Sequence, residues 1–154
     1  MKTFAFIVAL GLVSFSNPSV QEIRRDDQGA LTALGVREEL TLNFSSYGCF
    51  SQTVRKLVFV NTGKGIRATL YDCGTVGVTG SSLPTEKIIA VKIINRRDKL
   101  FFSRFEKGLK EEREGGCTTQ ETYTLESKKG KFTVTDASCS WFGFNQLVSD
   151  IFGV

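Results

Sequence analysis

Residues 117–139 read CTTQETYTLESKKGKFTVTDASC, and this stretch decides the fold class. Tyr123 and Leu125 alternate with threonine and glutamate, and Phe132 and Val134 alternate with lysine and threonine. A period of two is the mark of a half-buried strand. The two runs, 119–126 and 131–136, are joined by Lys128-Lys129-Gly130, which suits a three-residue hairpin loop with glycine at the left-handed position. With Ser127 opposite Lys131, Cys117 and Cys139 stand nearly across from each other at the open end. Bridged Cα atoms sit about 5.5 Å apart, so a disulfide there is geometrically natural. A closed loop of some 20 residues contributes about 3 kcal/mol on the chain-entropy model.

Working outward, the same alternation recurs upstream. Leu40, Leu42 and Phe44 form one strand, residues 54–61 a second, and Ile66, Ala68 and Leu70 a third. Asn61 to Gly65 is a glycine-containing hairpin loop; it precedes no helix and so lacks the context of a phosphate loop. Residues 88–94 are a fourth β-rich run, with the start of a helix as the alternative. The period then changes: Phe101, Phe102, Phe105 and Leu109 recur at helical spacing over 98–114, with Asp98 as expected N-cap and Gly115-Gly116 as the stop. A second amphipathic helix is expected over 141–152, capped by Ser140 and ended at Gly153. The expected architecture is α+β: an antiparallel sheet of five or six strands with two helices packed on one face and two disulfides.

The N-terminus carries a different signal. Lys2, an apolar run from Phe4 to Val13, and Ser14 and Ser16 as small residues have the three-part form of a secretory signal peptide, residues 1–16. The run is too short for a membrane anchor, which needs about 20 apolar residues, so no transmembrane span is expected in the mature chain. Residues 17–35 are polar and weakly patterned and read as a flexible leader, with a single domain over 36–154. The expected location is outside the cytoplasm, periplasmic or extracellular.

Export changes the meaning of the cysteines. Four of them, Cys49, Cys73, Cys117 and Cys139, occur in an exported chain, which reads as two disulfides. With Cys117 and Cys139 paired, Cys49 and Cys73 remain for the second, which requires Cys49 to lie on a loop that folds back. A zinc site is the rival reading, but with no histidine and no Cys-x-x-Cys pair the spacing is wrong for it.

The missing histidine also removes Ser-His and Cys-His catalysis. Ser103 and Glu106 have the spacing of a serine–lysine motif but with glutamate in the fourth place. Asp72, Glu86, Glu121 and Asp136 are the carboxylates from which a glycosidase-like pair would be drawn. The chain holds 20 Lys+Arg against 16 Asp+Glu, and loss of Lys2 with the signal leaves +3, too mild an excess to argue for nucleic acid. Basic residues gather at Lys92, Arg96, Arg97 and Lys99, and at Lys128, Lys129 and Lys131, as solvated faces or a polyanion surface. No cofactor is expected. The turn Tyr47-Gly48-Cys49-Phe50-Ser51 sets two aromatics around a glycine and a cysteine, and Tyr47, Gly48, Phe50 and Ser51 are the candidate recognition loop.

Gly48-Cys49-Phe50, Gly116-Cys117-Thr118-Thr119 and the ending from Asp136 to Phe144, DASCSWFGF, together resemble a group of small exported bacterial proteins. In that group a Gly-Cys-Phe turn precedes a hairpin and an Asp-x-Ser-Cys-x-Trp-x-Gly-Phe segment opens the last helix. The resemblance implies a bacterial periplasmic or extracellular setting and supplies no activity. The expected function is a non-enzymatic exported or envelope-associated binding module for a protein, peptide or glycan. A secreted inhibitor or effector and a carboxylate hydrolase are the alternatives.

Overall fold

The computed structural model describes residues 29–49, 51–77 and 86–154. The expected signal peptide and residues 17–28 of the leader lie outside the described residues.

The strands are β1 (Glu39–Tyr47), β2 (Ser51–Asn61), β3 (Ile66–Gly77), β4 (Lys87–Ile94), β5 (Gln120–Ser127) and β6 (Gly130–Asp136); the helices are α1 (Arg96–Gly108) and α2 (Gly143–Phe152). All strand pairings are antiparallel, and the six strands run in the order β4-β3-β2-β1-β5-β6. Alternation in sequence becomes alternation of faces. Leu40, Leu42 and Phe44 of β1 lie across from Phe59, Leu57 and Arg55 of β2, and from Ser127, Leu125 and Tyr123 of β5. The apolar members of these rows are buried with Ile66, Ala68 and Leu70 of β3.

Both helices cover that face. Phe102 of α1 meets Phe59 edge-on at 4.9 Å, and Phe144 of α2 stacks on Phe44 at 4.3 Å. The α+β class and the helices on one face are therefore as the sequence leads one to expect.

Local details differ. The N-cap of α1 is Asn95, three residues before the expected Asp98. Asn95 accepts from the Asp98 N–H at 3.0 Å and Asp98 accepts from the Asn95 N–H at 2.9 Å, a reciprocal capping box. It ends at Gly108, well before Gly115, and the Arg113 guanidinium donates to the Gly108 carbonyl at 2.6 Å. Helix α2 starts at Gly143 with no side-chain cap, and Ser140 bonds Ser138 instead. Gly153 closes it at φ 73°, as expected. Trp141 is thereby freed from the helix and packs against Phe105, 5.6 Å away, and Tyr123, 5.0 Å away. Gly108 makes room for the indole: a Cβ there would stand 2.9 Å from Trp141 Cζ2. The β5–β6 turn is one residue tighter than expected, because Ser127 pairs with Gly130.

The expected domain boundary at Val36 moves toward the N-terminus. Residues 29–35 form a turn that sends Leu31 and Leu34 into the core. The Ala30 N–H donates to the Glu106 carboxylate at 3.0 Å, and Asn61 Nδ2 donates to the Leu34 carbonyl at 2.8 Å. Two leucines in a polar stretch carry too little pattern to be read as core from sequence.

Cys117 and Cys139 are bridged, with Cα atoms 5.7 Å apart. The second expected bridge is absent: Cys49 and Cys73 are free. Tyr47 pairs with Gln52, so Cys49 lies in the loop between them, beyond the end of the ladder. Ser51 faces Gly77, and Cys73 lies four positions inward along β3. At ~3.3 Å per residue that offset is roughly 13 Å, more than twice the span of a disulfide. Alkylation without reductant should therefore modify two thiols. Exposed Cys49 should react first, because burial pushes the Cys73 thiol above its usual value. Mass mapping that finds a second bridge would refute this assignment.

Candidate recognition surface

The face of the sheet opposite the helices carries the other half of each strand. One row of cross-strand partners runs Val91, Thr69, Val58, Thr41, Glu126, Lys131, from β4 to β6. It is apolar at the β4 end and hydrophilic at the β6 end. There, threonines pair across the hairpin, Thr124 with Thr133 at 3.1 Å and Thr122 with Thr135 at 3.4 Å between hydroxyl oxygens.

Strand β4 is the apolar pole. Ile88, Ile89, Val91 and Ile93 are 55, 44, 55 and 61 % exposed. Val91 and Ile93 stand on this face opposite Thr69 and Arg67. The register slips between Leu70 and Tyr71, which face Ala90 and Ile88 and leave Ile89 without a partner on β3. Among the described residues nothing pairs with the outer side of β4. The sequence reading identified the strand but missed its exposure. Apolar residues on both faces suggest a central strand, whereas this one lies at the edge.

The basic cluster around β4 divides in the same way. Lys92 points to the helix side, donating to Asp98 Oδ1 at 2.9 Å and to the Ile151 carbonyl at 2.5 Å. Its charge closes the C-terminus of α2 and is not presented to a ligand. Arg96 and Arg97 are exposed, the latter over the Phe101 ring at 5.2 Å. Lys129 donates to the Ala33 carbonyl at 3.1 Å.

In the candidate loop, Tyr47 is 63 % exposed, Gly48 is half-buried and Cys49 is exposed. Phe50 lies outside the described residues, as does the side chain of Ser51, the first residue of β2. The loop is not pinned by a bridge, because Cys49 is free.

The four carboxylates separate into two kinds. Glu86 pairs with Lys56 at 2.6 Å, and Asp72 accepts from the Gly74 N–H at 2.9 Å, closing a turn. Glu121 and Asp136 are direct cross-strand partners. The Tyr123 hydroxyl donates to Glu121, and Asp136 accepts from the Ser138 N–H at 2.9 Å. A cavity of about 410 Å³ lies nearby, lined by Leu109, Glu111, Arg113, Val134 and Asp136 among others. Glu121 is not part of its lining. The Arg113 guanidinium is committed to the Gly108 carbonyl, to Glu111 and to the Trp141 ring, 4.1 Å away. The pair thus stands beside a cavity and does not enclose one between its two acids.

Burial raises the Glu121 pKa, with repulsion from Asp136 adding to it and the Tyr123 hydroxyl opposing. Tyr123 is pushed well above its ordinary value by burial and by Glu121. An acid whose value is raised by folding binds more protons in the native state. Its stabilising share is present at acid pH and lost as pH rises through the raised value. Glu121→Gln keeps an acceptor for Tyr123 and removes that loss. The variant should match the wild type near pH 4 and gain stability over it by pH 7, read as denaturation midpoints; a gain confined to acid pH would contradict the sign.

No described helix is long and apolar enough to cross a membrane. The chain matches no known protein family and no characterised protein.

Proposed function

We propose that this chain is an exported, non-enzymatic binding module that engages a protein partner along β4 and the adjoining outer face. The observation that carries the reading is the edge itself: an eight-residue strand with four exposed aliphatic side chains, whose outer side no strand among the described residues pairs with. Strand addition to such an edge gains main-chain hydrogen bonds, and side-chain contacts add specificity. An apolar patch left in water is a recurrent sign of an interaction site. Export is supported by the form of residues 1–16 and is compatible with the Cys117–Cys139 bridge. A secreted inhibitor would present a disulfide-pinned exposed loop, and with Cys49 free the loop after Tyr47 gives that alternative no support. Tyr47 remains an exposed aromatic that a partner can use.

A photoreactive phenylalanine analogue placed at Ile93 in the producing cell tests the reading. A discrete covalent adduct with a polypeptide is expected on irradiation. Absence of any adduct there, with adducts from control positions on α1, would overturn it.

A further inference from the structure

We infer that the cavity beside β6 is a second docking site, which takes an extended polypeptide segment as an added strand and seats a lysine side chain of that segment against Asp136. The site lies at the opposite edge of the sheet from β4 and does not depend on the reading of that strand. Its lining shows where the cavity opens. One wall is Val134, Thr135, Asp136 and Ala137, consecutive residues at the end of β6. Side chains along a strand alternate between faces. Val134 and Asp136 lie across from Tyr123 and Glu121 on the helix side, whereas the Thr135 hydroxyl is on the other face, 3.4 Å from that of Thr122. A cavity that touches all of them in turn runs along the main-chain edge of the strand. Among the described residues no strand pairs with that edge. The facing wall is Leu109 to Arg113, the segment after α1. An open strand edge can take an extended peptide by strand addition, with main-chain hydrogen bonds for affinity and side-chain pockets for specificity. The cavity of about 410 Å³ falls within the range of about 300–1,000 Å³ typical of ligand sites and accommodates a short stretch of extended chain.

The charge of the occupant follows from Asp136, which is only 8 % exposed and yet lines the cavity. One of its oxygens accepts from the Ser138 N–H at 2.9 Å. Among the described residues the other oxygen takes no hydrogen bond, and no cation pairs with the carboxylate. Glu121 stands directly across the strand pair and sets a second carboxylate beside it. Of the two basic residues in the lining, Arg113 is committed to the Gly108 carbonyl, to Glu111 and to the Trp141 ring. Lys110 is exposed and is followed in the same wall by Glu111 and Glu112, so that wall brings no excess of positive charge. Burying a carboxylate without a countercharge is costly, and a cation that arrives with the peptide offsets the cost. An acidic side chain there would meet like charge, and a neutral one would cover Asp136 unpaired. Ser138 holds one oxygen and leaves a single one to the ligand, so an ammonium suits the site better than the two-pronged guanidinium.

The test is an NMR titration of the isotope-labelled exported chain with the blocked peptide acetyl-Thr-Val-Lys-Val-Thr-amide. The amide signals of residues 133–138 and 109–113 should move and saturate. Norleucine in place of the peptide's lysine should weaken binding about tenfold, the loss of one charged contact. Asp136→Asn keeps an acceptor for the Ser138 N–H and should erase the difference between the two peptides, with circular dichroism checking the fold. An added strand bonds the edge through alternate residues only. N-methylation of the peptide at alternate residues should therefore abolish binding in one phase and spare it in the other. Both peptide modifications work on the wild type and carry the test even if Asp136→Asn does not fold. No shift at residues 133–138 with millimolar peptide, equal binding of the lysine and norleucine peptides, or indifference to N-methylation in both phases overturns the proposal. Butylamine alone moving the Ser138 signal as far as the peptide does also overturns it, since the ammonium is then held without an added strand. Each of these failures leaves the β4 reading standing, because that reading is tested at Ile93 on the opposite edge.

Discussion

Phe102→Ala should destabilise the domain by about 3–5 kcal/mol, measured by denaturant unfolding. The ring is fully buried and joins helix to sheet, meeting Phe59 at 4.9 Å and Phe105 at 5.9 Å. Phe105 in turn touches Tyr123 at 5.9 Å and Trp141 at 5.6 Å, and Tyr123 touches Phe44 at 5.4 Å. Truncation leaves a void under α1 whose walls are rings held from several elements, so collapse around it is restricted. Small domains have only about 5–15 kcal/mol in total, so the loss is a large share of stability. A cost below about 1 kcal/mol would mean that the aromatic seam repacks freely.

The second large effect is expected from opening the disulfide. Cys117→Ser with Cys139→Ser should cost about 3 kcal/mol on the chain-entropy model for a bridge spanning 22 residues. Among the described residues β6 is an edge strand that pairs with β5 alone, so the loss should concentrate there. Cys139 also lies two residues before Trp141, whose ring is anchored among Phe105, Tyr123 and the Arg113 guanidinium. Amide exchange should quicken first in β6 and residues 137–142, with β1 to β3 still protected. Uniform acceleration across the sheet would show that the bridge supports the whole domain and not its edge.

Much of the sheet was legible because burial and sequence share one period. Leu40, Leu42 and Phe44, Tyr123 and Leu125, and Phe132 and Val134 could be placed on a common face before any tertiary contact was known. The Cys117–Cys139 pair was legible for a related reason: a short turn sets the hairpin register, and the register carries the cysteines together. The pairing of Cys49 with Cys73 failed because it joins a loop to the interior of a strand two places along the sheet. Asp98 was recognisable as a capping residue, but the choice between N-cap and third helical position depended on Asn95, whose side chain takes the reciprocal bond. Trp141 had a helical spacing to Phe144 and Leu147. In the fold its ring lies close against both Gly143 and Gly108, and the contact with Gly108 is one that no local pattern announces. The candidate surface was the least legible part. Ile88, Ile89, Val91 and Ile93 look like core until the strand order puts β4 on the outside, and strand order is a property of the whole chain.

The strand order has a kinetic consequence. β1 to β4 form a meander in which each strand pairs with its predecessor, so those contacts are near in sequence. β1 must also receive β5, with Leu40 set against Ser127 and every intervening element of the chain enclosed between them. Closing so long a segment costs entropy before any contact rewards it. The expected order of assembly is the meander first and the β5–β6 hairpin last, docking as a preformed unit. The disulfide lies wholly inside that late piece and leaves the longest excursion of the chain unchanged. Oxidation should therefore slow unfolding more than it speeds folding.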